Sequence, residues 1–345
     1  MIGWFKRFFE KYERRLSSAA LVGGFILDNL TFQRIDRLLD SLILLGYIFI
    51  AAIAIYLLSL GKLPRFLPLV LQFTFGGLAS AFFIFYSRSG SFASSWPFLL
   101  LLAGLLIGNE VFKKRYEKFA FRLSVFYFVL FSYCISYLPV VTGKIGPTIF
   151  VLSGLASLVL IWFFIKFLKA QVPEVWQESG RSALGSVAGI FLLVNVLYFL
   201  NVIPPIPLAL KDSDILHSIS RNSEGQYEVL VESEPWYAFL QGSQKVHIMP
   251  GDTLYAYSAV FAPTRLSLDI IHEWQHDSEG GWQTVSTQRF PIVGGRDGGY
   301  RGYSLSRNVS PGRWRVNVKT ATGQIIGRLD FIAISGPAVL EKEAR

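Results

Sequence analysis

Residues 184–207 read LGSVAGIFLLVNVLYFLNVIPPIP, an apolar run from Leu184 to Ile203 closed by Pro204, Pro205 and Pro207. A helix needs roughly 20 apolar residues to cross a hydrocarbon core about 30 Å thick, so 184–203 is long enough to span a bilayer, and the prolines that follow cannot continue it. Upstream the chain is a succession of similar runs. Downstream the apolar residues fall into a period of two. The side of the membrane on which residue 204 emerges therefore decides where the second half works.

The 345-residue chain is 52% hydrophobic and 15% aromatic with 17% charged residues, the composition of a polytopic membrane protein. Its charge is unevenly placed. Residues 1–203 hold 19 Lys and Arg against 9 Asp and Glu, net +10, whereas 204–345 hold 14 against 15, net −1. The basic balance belongs to the membrane half, where it sets topology, and is not a nucleic-acid footprint. The single cysteine, Cys134, lies in an apolar run, which excludes an intramolecular disulfide and a cysteine metal cluster.

Runs at 41–60, 66–86, 91–109, 119–138, 145–168 and 184–203 predict spanning helices, the third reaching span length only if residues 91–95 contribute. A seventh run, 16–32, is apolar over Ala19–Leu27 but ends in Asp28 and Asn29. Charge decides it. If 16–32 crosses, 15 Lys and Arg fall on one side and 4 on the other; if it does not, the division is 9 and 10. Basic residues in short loops favour the cytoplasm. The reading is therefore a bundle of about seven spans over 16–203, N-terminus inside and C-terminus outside. Residues 1–15 set Trp4, Phe5, Phe8, Phe9 and Tyr12 at helical spacing among five basic residues and predict a cytoplasmic interfacial amphipathic helix. Gly104/Gly108 and Gly185/Gly189 are small-xxx-small pairs for close helix approach, within the chain or in an oligomer. The middles of the spans hold no ionisable residue, which argues against an ion-coupled transporter.

Residues 204–225 read as a stiff linker, 226–335 as an all-β immunoglobulin-like sandwich domain, and 336–345 as a frayed tail. The clearest strands close the domain: Trp314, Val316 and Val318 alternate with Arg313, Arg315, Asn317 and Lys319, Thr322 and Gly323 turn, and 324–334 returns as the partner strand.

His272, Glu273 and His276 match the HExxH pattern of zinc proteases. That chemistry needs a helix, where i and i+4 imidazoles meet at one ion; on a strand they lie about 13 Å apart. Alternation of Leu266, Leu268, Ile270, His272, Trp274 and His276 favours a strand, so the metalloprotease is the lesser alternative, with a lipid or solute transporter beside it. The second constellation is 294–304, GGRDGGYRGYS, five glycines with Arg296, Tyr300, Arg301 and Tyr303, followed by Arg313 and Arg315. Arginine forks and tyrosine faces in that density suit an anionic partner.

His272, Trp274, the 294–304 stretch, Pro311, Gly312, Trp314, Arg315, Val316, Val318, Thr320, Gly323, Gly327 and Phe331 together resemble the bacterial family called domain of unknown function 2914, over about 65 residues. The membrane array, through its hydropathy and the Gly24, Phe25 and Asp28 region, looks like the multi-span portion that accompanies this domain. The resemblance implies a β fold at the cell envelope and carries no catalytic residue over. The expectation is an inner-membrane protein with a periplasmic β domain, with neither cofactor nor metal. Its role is non-catalytic binding of membrane lipid, lipopolysaccharide, an anionic envelope glycan or a partner protein. Arg296, Tyr300, Arg301, Tyr303, Arg313 and Arg315 form the expected site, with His272 and Trp274 as an aromatic face.

Overall fold

The computed structural model describes residues 25–26, 28–32, 36–61, 67–89, 92–111, 118–223, 226–233, 243–307 and 309–345. The helix expected at 1–15 and most of the run at 16–32 lie outside them. The chain divides into two compact units, a helical one that ends at Pro207 and a strand-built one that begins at Leu208.

The helical unit contains α1 (Leu38–Ser59), α2 (Leu67–Ser89), α3 (Phe92–Val111), α4 (Phe119–Thr142), α5 (Pro147–Gln171) and α6 (Pro173–Phe199). All but α3 are long and apolar enough to cross a membrane, and α3 holds a shorter apolar stretch, Ser95–Gly108. Local chemistry sets their ends. Gly143, at φ 63, takes the left-handed conformation that stops α4, and its N–H bonds the Pro139 carbonyl at 2.9 Å. Pro147 and Pro173 open α5 and α6, where a missing N–H is harmless. The last helix begins at Pro173 rather than at 184, because hydropathy registers only its apolar part and not the polar turns with Glu174, Gln177, Glu178 and Arg181.

Residues 28–31 are also helical. The Arg88 guanidinium, at the end of α2, donates to the carbonyls of Phe32 at 3.0 Å and Asn29 at 3.1 Å, and to the Asn29 side chain. Close helix approach uses Gly154, whose added Cβ would lie 3.1 Å from the Phe191 ring. Among the described residues, Gly104, Gly185 and Gly189 have nothing within 4 Å of that position.

The strand-built unit holds β1 (Ala209–Leu216), β2 (Ser218–Arg221), β3 (Tyr227–Glu232), β4 (Gln244–Ile248), β5 (Thr253–Phe261), β6 (Ser267–Ser278), β7 (Gly281–Val293), β8 (Tyr300–Arg307), β9 (Gly312–Thr320), β10 (Ile325–Ser335) and β11 (Leu340–Ala344). They form a five-stranded sheet β4-β10-β9-β6-β7 and two three-stranded sheets, β1-β5-β8 and β11-β3-β2. The pairs are antiparallel except β4 with β10. The hairpin expected at 311–334 is present as β9 and β10, with Trp314 opposite Phe331.

Two boundaries are corrected. The segment expected as linker, 204–225, carries β1 and β2. The segment expected as a frayed tail, 336–345, carries β11, paired along β3 from Leu340↔Glu232 to Ala344↔Glu228. In β1 the alternation is masked by Asp212 and Asp214. In β11 all five residues are exposed, so no apolar face exists to be read. Backbone bonds and Arg345 hold it: the Arg345 guanidinium reaches Asp214 at 2.7 Å, and its backbone exchanges two hydrogen bonds with Tyr227.

Candidate functional site

Strand β6 sends alternate side chains to opposite faces of the five-stranded sheet, and each face builds a polar network. On the inner face His272 and Trp274 are both 0% exposed. The imidazole bonds the hydroxyls of Ser258 on β5 (Nε2, 2.8 Å) and Ser304 on β8 (Nδ1, 2.9 Å), and the Trp274 indole N–H donates to the same Ser304 oxygen at 2.9 Å. Burial holds the His272 pKa down at about 4, so the ring is neutral, one nitrogen donating and the other accepting. Both ring nitrogens and the indole N–H are used. The aromatic face expected at His272 and Trp274 is therefore core, not surface.

The zinc motif fails on the same alternation. Glu273 projects from the face opposite His272, where it accepts hydrogen bonds from Lys319 and from the Asn317 amide at 3.0 Å. Burial alone would raise its pKa; those two partners outweigh burial and hold the carboxyl below its ordinary value. Among the described residues no group of three His, Cys, Asp or Glu is placed to hold a metal ion.

The outer face is the richer one. Pairing sets Glu273 and Gln275 on β6 opposite Asn317 and Arg315 on β9, and these opposite Arg328 and Asp330 on β10. Gln275 Oε1 accepts from Arg315 Nε at 2.6 Å and from the Asn317 amide at 3.1 Å, and Asn317 Oδ1 accepts from Arg328 Nε at 2.7 Å. Thr284 on β7 takes the Gln275 amide at 3.1 Å. Asn317 is only 2% exposed although it lies on the outer face, because the long side chains around it close over it. The two buried amides thus grip two guanidiniums by Nε. Trp282 lies beneath Arg315, 4.1 Å from ring centroid to guanidinium, with Arg313 at 5.9 Å. A cleft of about 300 Å³ lies here, lined by Trp282, Arg313, Arg315, Arg328, Asp330 and Ser243 among others.

The six residues expected to act together are thus dispersed. Arg296 stacks on its own loop neighbour Tyr300 at 5.0 Å. Arg301 and Tyr303 lie on β8, in the β1-β5-β8 sheet, where Tyr303 edges Tyr255 and Tyr227 at 6.1 Å each. Only Arg313 and Arg315 reach the cleft. Two glycines of the 294–304 stretch serve packing: a Cβ on Gly294 would sit 1.8 Å from the Pro263 carbonyl oxygen, and one on Gly302 would sit 2.2 Å from the Phe290 ring. Sequence reasoning missed Gln275, Trp282, Asn317 and Arg328. Their outward alternation was visible; the cross-strand register that joins them was not.

Elsewhere in this unit Glu232 joins His217 and His247, accepting from His217 Nε2 at 2.9 Å and His247 Nδ1 at 2.7 Å, and so ties β3 to β4 and to the β1–β2 junction.

The cleft residues from Glu273 to Asp330 lie within the segment that compares with known proteins. Residues 268–332 match the family model described as protein of unknown function, DUF2914. This DUF2914 segment runs from β6 to β10 and contains both partners of every amide-to-guanidinium contact above. No curated protein matches the chain. Among solved structures, the alkylpurine DNA glycosylase AlkC of Pseudomonas fluorescens, bound to DNA containing an abasic site analogue, is similar at 12% identity. The likeness covers 81% of this chain and 80% of that chain with a TM-score of 0.23, too slight to bear on fold or function.

Proposed function

We propose that this is a seven-span bacterial inner-membrane protein that carries a periplasmic immunoglobulin-like sandwich, and that the sandwich binds an anionic envelope ligand without catalysis. The orientation rests on the 15-to-4 division of basic residues and on Arg88, which puts the end of the 28–31 helix at the same level as the C-terminus of α2. That level is the one expected if 16–32 crosses in the same direction as α2. The sandwich rests on strand order. With β5, β6, β7, β8, β9 and β10 taken as B, C, C′, E, F and G, the pairs B–E, C–F, F–G and C–C′ of that fold are all present, and a buried Trp274 stands on strand C.

The observation that carries the binding role is the pair Arg315 and Arg328, each held at Nε by a buried amide and both lining the cleft that Trp282 also lines. Forks fixed before the ligand arrives lose little entropy on binding and suit phosphate, sulfate or carboxylate oxygens. The test uses the full chain in nanodiscs against three probes: lipopolysaccharide, a uronate oligosaccharide and vesicles containing phosphatidylglycerol. At least one should bind, and Arg315→Ala with Arg328→Ala should weaken it by more than about tenfold. No binding to any probe, or binding that the double substitution leaves intact, removes this reading.

A further inference from the structure

Among the described residues, the β3 edge is covered by β11, which holds on by backbone pairing and ion pairs rather than by apolar burial. Its five side chains are exposed, so it buries no apolar face. Lys342 pairs with Glu228 at 2.8 Å and Arg345 sits on Asp214 at 2.7 Å, with Asp212 at 3.7 Å and the Tyr257 ring 5.7 Å away. Its other two charges are the carboxylates of Glu341 and Glu343. A cleft of about 260 Å³ is lined by Asp214, Glu232, Glu341, Glu343 and Arg345, with Gln244 beside them, so β11 brings two carboxylates to a wall that already holds two. Glu343 pairs with Arg345 of its own segment, at 3.2 Å. The chain reaches β11 through Gly336 and Pro337, then the exposed Val339.

We propose that the β3 edge is an acceptor for an extended, cationic peptide segment of another protein, and that β11 is a built-in occupant which such a segment displaces. The acceptor supplies an unpaired strand edge once β11 leaves, which gives affinity through main-chain hydrogen bonds. It also supplies Asp212, Asp214 and Glu228, the carboxylates that Arg345 and Lys342 now pair with, which select for charge. A strand with Lys in place of Glu341 and Glu343 presents cations instead of carboxylates to the cleft that Asp214 and Glu232 line, and keeps the Arg345 and Lys342 contacts. This site shares no residue with the cleft on the outer face of the five-stranded sheet, so the two readings stand or fall separately.

The test is fluorescence anisotropy on the full chain in nanodiscs with two labelled peptides. One has the sequence of residues 338–345, and the other carries Glu341→Lys and Glu343→Lys. The lysine peptide should bind about tenfold tighter or better, and Asp212→Asn with Asp214→Asn in the chain should weaken it by about tenfold. Arg345→Ala in the chain, which loosens β11, should strengthen both peptides. A peptide with Ala344→Cys should form a disulfide with a chain carrying Glu228→Cys and Cys134→Ser, which fixes the register. Equal binding of the two peptides, binding indifferent to Asp212 and Asp214, no response to Arg345→Ala, or no disulfide at residue 228 overturns the proposal.

Discussion

The inner and outer faces of the five-stranded sheet carry polar networks built from adjacent residues of one strand, yet they end differently. Inside, His272, Trp274, Ser258 and Ser304 consume one another's donors and acceptors, and nothing is left to offer a ligand. Outside, Gln275 and Asn317 consume only the Nε of Arg315 and Arg328. A closed network specifies a core; an open one prepares a surface for something else. Richness in polar residues does not separate the two cases. What separates them is whether the hydrogen bonds run out.

That contrast can be broken most severely from the inside. Trp274→Ala removes a fully buried indole and should destabilise the strand-built unit by about 3–5 kcal/mol in denaturant unfolding, with ligand affinity per folded molecule unchanged. A large affinity loss in the folded fraction would mean the faces are not separable. The next effect is acid sensitivity. The His272 pKa is about 4 folded against an ordinary 6.5, so between those values the unfolded chain binds more protons and stability falls as pH drops. The loss should reach about 3 kcal/mol by pH 4, should be absent from the stability curve of His272→Gln, and should therefore appear in the difference between the two curves.

Asn317→Ala sharpens the comparison because it strikes the buried part of the outer network. It should cost about 1–3 kcal/mol and also release Arg328, weakening ligand by about tenfold. The smallest stability effect belongs to the forks themselves: Arg315→Ala with Arg328→Ala should change unfolding by less than about 1 kcal/mol, read by the same denaturant titration.

Much of this architecture is legible in the sequence, for reasons that differ by element. The apolar helices announce themselves because lipid demands length and apolarity. The β9–β10 hairpin does so because Trp314, Val316 and Val318 alternate without interruption between two turns. The strand reading of 266–276 follows from the same period, and β6 is the strand found there. β11 was illegible because it buries nothing, and β1 because Asp212 and Asp214 interrupt its apolar side. The site fared worse than the fold. Arginine density drew attention to 294–304, where glycines answer packing against Pro263 and Phe290, while the gripping residues Gln275 and Asn317 look in sequence like ordinary outward positions. Their significance depends on which residue stands across the ladder, and no single strand encodes that.

The most direct test is one spectrum. In the full chain, with arginine Nε–H and tryptophan indole N–H groups isotopically labelled and assigned, the ligand that binds in the probe series is titrated in. The account predicts that the Arg315 and Arg328 Nε–H signals and the Trp282 indole shift together while the Trp274 indole stays still. Shifts confined to Arg296 and Arg301, or a Trp274 signal that moves in step with Arg315, would contradict it.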